Sequence, residues 1–169
     1  AGYAFRFELQ RAFVPQCSAT GEPDMARVKL DMSGVVFVFR TELEVRITDI
    51  NYGRHVGNDA MLGLLHEARL RFLAKAGFSE EDIGGAGMLM GDAVVQFKAV
   101  AYRGDHLVVE MGLADVERRT FDLMYRVTRT GDGAVVALAK TGMVAFDYAK
   151  NRLADLPPAF LEKMGVKGT

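Results

Sequence analysis

Two kinds of hydrophobic spacing divide the chain. Val35-Val36-Phe37-Val38-Phe39 and Leu43-Glu44-Val45-Arg46-Ile47 are rich in β-branched and aromatic residues, and the second alternates apolar with polar, which predicts strands. The period then lengthens. From Ala60 to Ala76, Met61, Leu64, Leu65, Ala68 and Phe72 recur on one face of a predicted helix. Lys75 in its last turn and Gly77 at its end are the usual stop signals. After a loop from Ser79 to Gly87 come four strand-like runs, Met88 to Val100, His106 to Val116, Thr120 to Arg129 and Ala134 to Tyr148. Gly104-Asp105 and Gly131-Asp132-Gly133 punctuate them as turns, the second a hairpin signal. Beyond Leu156-Pro157-Pro158, Ala159 to Met164 reads as a short terminal helix. One long helix among five or six antiparallel strands predicts an α+β domain with the sheet wrapped around the helix.

The first 24 residues fit neither period. They hold Cys17, two of the four prolines and a turn-rich stretch from Cys17 to Asp24, and they read as an N-terminal extension or leader preceding a single domain over 25–169. Phe5, Phe7, Leu9 and Phe13 are too apolar for a purely solvated tail and suit docking on a surface or a neighbouring subunit. The 169-residue chain is half apolar with a formal net charge of −1, so it can bury a sizeable core and lacks the basic excess of a nucleic-acid surface. A single cysteine excludes an internal disulfide and any cysteine-rich zinc site. Without a membrane-length apolar run or a signal-peptide pattern, the expected setting is the cytoplasm.

Between the second strand and the helix lies the most informative segment, Thr48-Asp49-Ile50-Asn51-Tyr52-Gly53-Arg54-His55-Val56-Gly57-Asn58-Asp59. It sets polar, glycine-flanked residues against a helix N-terminus, whose unpaired N–H groups and positive dipole end can polarise a carbonyl. Helical geometry, about 100° per residue, brings Asp59 and His66 within roughly 20° of each other, two turns apart. Gly63 lies between them and Glu67 beside them. A carboxylate, an imidazole and a small residue on one stripe suit a pocket for water and a carbonyl. Structural roles compete at each position. Asn58 suits an N-cap, Asp59 favours the helix dipole, and Glu67 has Arg71 at i+4. His55 can equally be a loop histidine bonded to backbone, and His106 reads as structural.

These residues resemble a known family. The turn Asp49-x-Asn51-x-x-x-His55-Val56-x-Asn58, the helical Leu65-His66-Glu67-Ala68-Arg69, and the later Gly104-Asp105-His106-Leu107 look like a hot-dog fold thioesterase. The similarity is to hydroxybenzoyl-CoA thioesterase and related acyl-CoA thioesterases, and it covers about Arg40 to Asp147. That branch typically reads D-x-D-x-x-G-H-V-N-N before its central helix and E-E-A-R within it. Two departures stand out: the second Asp, often the catalytic carboxylate, falls on Asn51, and the glycine before the histidine falls on Arg54. An amide cannot act as a general base at neutral pH.

The resemblance implies hydrolysis of an acyl-CoA or acyl-carrier-protein thioester without a cofactor or metal. It also implies a homodimer or dimer of dimers with sites between subunits. Backbone N–H groups around Val56, Gly57, Asn58 and Asp59 would polarise the thioester carbonyl. Asp59, or Glu67 acting with His66, would activate water, with Asn51 and His55 positioning water or carbonyl. The Arg118-Arg119 pair is the candidate for a CoA phosphate, against a solvated strand end. The loop from Gly84 to Gly91 lacks dinucleotide-binding spacing and suits a flexible loop in which Met88, Leu89 and Met90 line a substrate tunnel. The competing class is a non-hydrolytic acyl-thioester-binding or dimerisation module that kept the fold and lost the base at Asn51.

Overall fold

A computed structural model describes residues 28–166; the expectations for residues 1–24 lie outside them. Strand β1 (Phe39–Glu44) and a 3-10 turn (Ile47–Asp49) lead into helix α1 (Asn58–Ala76). Then come β2 (Gly87–Phe97), β3 (His106–Ala114), β4 (Thr120–Arg129), β5 (Val135–Asp147), a two-residue β6 (Arg152–Leu153) and α2 (Pro158–Lys163). The strands form one six-stranded sheet in the order β1-β3-β4-β5-β2, with β6 pairing β5 and every pairing antiparallel. This is the α+β hot-dog architecture, a curved sheet around one long helix.

Alternation along the strands builds the core. Leu107, Val109 and Met111 of β3, Phe121, Leu123, Tyr125 and Val127 of β4, and Ala137, Ala139, Met143 and Ala145 of β5 are buried. The residues between them carry charge: Arg126 pairs with Glu110 at 2.7 Å, and Lys140 with Asp122 at 3.0 Å and Asp92 at 3.3 Å. One face of the sheet is therefore apolar toward α1 and the other is laced with ion pairs. Helix α1 buries Met61, Leu64, Leu65, Ala68, Phe72 and Leu73 in the same core. Its buried face also carries Arg69, a charge that must find a partner there. Gly77, with φ 84°, ends the helix in the left-handed conformation that glycine adopts without steric cost.

Two strand expectations need correction. The runs at Val35 and Leu43 make one strand, Phe39–Glu44, because Val35 to Val38 only lie alongside β3. There Val38 N donates to Met111 O at 2.8 Å, and an added Cβ at Gly112 would collide with the Val36 carbonyl oxygen. β5 sits between β4 and β2, so β2 is the long edge strand, with Leu89, Met90 and Phe97 exposed. The segment expected to be a flexible loop through Gly91 is already strand from Gly87 onward. In β2, Met90 faces Met143 and Asp92 faces Gly142, which leaves Gly91 as the extra residue of a bulge.

Candidate active site

The turn before α1 is folded by its own polar groups. Asp49 is buried; its carboxylate accepts from Arg46 N at 2.7 Å and its carbonyl from Gly57 N at 2.9 Å. Ile50 bridges Val56, Asn51 N donates to His55 O at 2.9 Å, and Asn51 Oδ1 accepts from Gly53 N at 2.8 Å. These bonds close a tight loop in which Arg54 has φ 62°. The glycine of the family pattern thus falls on a left-handed position, which arginine adopts at a steric cost of about 1–2 kcal/mol. Val56 N donates to Ala101 O at 2.9 Å, tying the loop to the β2–β3 connection.

This loop gathers three of the expected site residues. His55 Nδ1 lies 3.1 Å from Val56 O, as expected of a backbone-bonded loop histidine. Its Nε2 and Asn51 Oδ1 flank Gly53, at 2.9 and 3.1 Å from where a Cβ would stand. Asp59 Oδ1 folds back over Gly57, 2.5 Å from its missing Cβ, with Asn51 Cβ at 3.6 Å from that point. A side chain at Gly57 would displace Asp59. The N-cap is Gly57 and not Asn58, which is the first helical residue, and no side chain caps the helix. The amides of Val56 and Gly57 are spent on Ala101 and Asp49, whereas those of Asn58, Asp59 and Ala60 have no bond among the described residues. The backbone donors left open at this end of the chain's long helix are therefore those of its first turn.

Farther along the helix a second polar group appears. His66 Nε2 lies 2.8 Å from Glu80 Oε2, and Arg69 Nε donates to Glu80 Oε1 at 2.5 Å. Behind Arg69, the buried Tyr125 hydroxyl bonds Thr141 Oγ1 at 3.0 Å. Burial pushes the Glu80 carboxyl up, but the hydrogen bonds from His66 and Arg69 outweigh it and hold it below the ordinary range. Burial likewise pushes the Tyr125 hydroxyl up. His66, Arg69 and Thr141 line a cavity of about 200 Å³ with Leu62, Gly63 and Met90, beside the Gly91 bulge.

His66 and Glu67 do not act as a unit. Glu67 Oε1 accepts from Arg71 at 2.7 Å, and Arg71 reaches on to Thr41 Oγ1 and Glu42 O, so this pair turns toward β1. Glu80, Arg69, Tyr125 and Thr141 were not singled out from the sequence as site residues. The one signal available was a charge at position 69, in register with a buried helical stripe. Arg118 and Arg119 lie at the other end of β4, where Arg119 Nε donates to Asp155 at 2.7 Å and Arg118 Nε is 3.7 Å from the same carboxylate. The turn at Val56 meets the opposite end through Ala101, next to Val100, whose carbonyl accepts from Arg129. Nine strand steps, about 30 Å, separate the two ends, so within one chain the arginine pair and the turn do not meet. His106 bonds Glu42 at 2.8 Å in a structural role. Among the described residues no group of three or more His, Cys, Asp or Glu is placed to hold a metal ion, and no helix is long and apolar enough to cross a membrane.

An antiparallel sheet curved around one long helix, with a polar turn at the head of that helix, defines a hot-dog fold domain. The chain belongs to the thioesterase-like superfamily, which matches it over residues 45–164. No curated protein matches it by sequence. Among solved structures it is similar to the 1,4-dihydroxy-2-naphthoyl-CoA thioesterase from Synechocystis, with 23% identity, a TM-score of 0.69, and 75% of this chain and 95% of that one covered. A mutant 4-hydroxybenzoyl CoA thioesterase complexed with 4-hydroxybenzoyl CoA gives 20% and 0.67, covering 75% and 97%. DHNA-CoA thioesterase from Staphylococcus aureus gives 18% and 0.68, covering 75% and 87%. These likenesses establish the fold.

Proposed function

We propose that the protein hydrolyses acyl thioesters carried on coenzyme A or a carrier protein to free acid and thiol. The observation that carries this reading is the set of open amides at Asn58, Asp59 and Ala60 beside Asn51, His55 and Asp59, in a member of the thioesterase-like superfamily. The carbonyl oxygen sits on those amides, which stabilise it most as it becomes an oxyanion. Asp59 takes a proton from water as the water oxygen attacks the carbonyl carbon. Asn51 and His55 orient that water. Collapse of the tetrahedral intermediate breaks the C–S bond, and the departing thiolate takes up the proton. Thiol release from acyl-CoAs of graded length tests the reading; no turnover of any of them, or of acyl-carrier protein, refutes it.

The second reading is an acyl-thioester-binding module without hydrolysis, favoured by the amide at Asn51 where the family has a carboxylate. It predicts binding of acyl-CoA with no thiol release. Under either reading the open edge of β2, with Leu89, Met90 and Phe97 exposed, supports pairing with a second copy as a homodimer or dimer of dimers. Light scattering that gives a monomer at micromolar concentration counts against it. Cys17 as the lone cysteine fits a reducing, cytoplasmic setting, testable by cell fractionation.

A further inference from the structure

The open amides and the His66–Glu80 pair lie along one stripe of α1, and a groove lined by Leu62, Gly63, His66 and Met90 occupies the His66 end of it. Seven residues separate Asp59 from His66, about 10 Å along the helix axis at nearly the same angular position. Between them Gly63 is exposed, and a Cβ built on it meets nothing within 4 Å. Leu62 is exposed beside it and Met90 stands opposite on β2, so the middle of the groove is apolar. Its far end is polar. His66 is half-exposed into the cavity, while both Glu80 oxygens are taken by His66 and Arg69. An ionised carboxylate only accepts hydrogen bonds, so His66 Nε2–H donates to it. That fixes the ring and leaves Nδ1 without a protein partner among the described residues. The charges facing this ring are Glu80 from the loop after α1 and Arg69 from α1 itself, which offset each other, while β2 and β5 offer the uncharged Met90 and Thr141. A purely hydrocarbon acyl tail would leave Nδ1 unsatisfied where water is displaced.

We propose that this groove seats the acyl group, and that His66, oriented by Glu80, selects acyl groups ending in a hydrogen-bonding oxygen about six carbons from the thioester. The inference rests on the thioesterase reading and assigns its substrate class. The length follows from the separation of about 10 Å: six zigzag bonds from carbonyl carbon to terminal oxygen span about 7.5 Å, and a hydrogen bond of about 2.8 Å to Nδ1 makes up the rest. His66 here contacts substrate and Glu80 is a positioning residue. Neutral Nδ1 accepts from a terminal hydroxyl, and the protonated ring donates to a terminal carboxylate.

The test compares hexanoyl-CoA, 6-hydroxyhexanoyl-CoA and adipoyl-CoA on the full chain, with acetyl-CoA as a substrate too short to reach His66. One or both oxygen-ended substrates should exceed hexanoyl-CoA in kcat/KM by about tenfold, the size expected of one specific hydrogen bond. Which of the two leads tells hydroxyl from carboxylate. His66→Ala should bring the ratio toward one, and Glu80→Gln should lower it mainly through KM. Gly63→Leu, a change that favours the helix, should raise KM more for the six-carbon substrates than for acetyl-CoA. Equal use of hexanoyl-CoA and its oxygen-ended analogues, or a preference that survives His66→Ala, overturns the inference while leaving hydrolysis standing. If no thioester is turned over, the hydrolase reading fails. The same ratios read as Kd by calorimetry then decide the groove's selectivity separately.

Discussion

The two polar clusters along α1 are built in opposite ways. The cluster at its head uses Asp49, Asn51, His55, Gly57 and Asp59, all within eleven consecutive positions, and its bonds are mostly between near neighbours. The cluster farther along joins His66 and Arg69 of the helix to Glu80 of the following loop, with Tyr125 of β4 and Thr141 of β5 behind them. The first leaves backbone donors open; the second closes almost every polar atom it holds. An open cluster suits chemistry, which needs groups free to meet a reacting atom, whereas a closed one suits holding a shape. The difference teaches that uncapped amides are the better guide to the reacting centre here than the denser charge network.

The largest expected effect strikes the closed cluster. Arg69→Met leaves the Glu80 carboxylate with one of its two side-chain hydrogen-bond partners and removes a buried cation, and should destabilise the fold by about 3 kcal/mol in urea unfolding. A loss below about 1 kcal/mol would show that the network is decorative. At the open cluster, Asp59→Asn should lower kcat at least about a hundredfold, roughly 2.7 kcal/mol of transition-state stabilisation. Its unfolding midpoint should barely move, because no Asp59 side-chain bond caps the helix. Unchanged kinetics would shift the base to another group and erase the contrast between the clusters.

Smaller effects sharpen the same contrast. Asn51→Ala removes the acceptor that closes the loop onto Gly53 and should slow turnover by one or two hydrogen bonds, about 1 kcal/mol each. Asn51→Asp places a new charge beside Asp59 and should slow the enzyme near neutral pH by raising its neighbour's pKa. A clear gain in hydrolysis would instead show that the natural chain had lost its base. The smallest effect is in the acid limb of stability. Glu80 has its folded pKa below the ordinary 4.5, so its contribution is complete above about that pH and is lost as pH falls through the lower folded value. Glu80→Gln should therefore flatten stability against pH only below about 4.5. A variant as acid-sensitive as the natural protein would assign that limb to other carboxylates, Asp132 among them, which Arg129 holds at about 2.

What the sequence determined was whatever depends on neighbours in the chain. Period alone placed α1, β3 and β4 within a residue or two, because helix and strand each impose a fixed spacing on the residues that must face the core. The glycine-flanked turn before α1 was likewise legible, since the bonds within it run between residues at most eight apart, and only Val56 reaches out to Ala101. Which residue became the N-cap was not: Gly57 took it from Asn58, with its amide captured by Asp49 and its missing side chain admitting Asp59. Tertiary structure decided the edge strands, since strand order depends on pairing across the sheet, which sets β5 between β4 and β2 and leaves β2 open. It also decided the partner of His66. On the helix alone Glu67 is the adjacent carboxylate, but consecutive helical residues diverge by about 100°, so Glu67 turned to Arg71 and β1. The buried charge of Arg69 drew Glu80 in from the loop, and His66 met it there, because a cation inside the fold must be neutralised by whichever carboxylate the packing can bring.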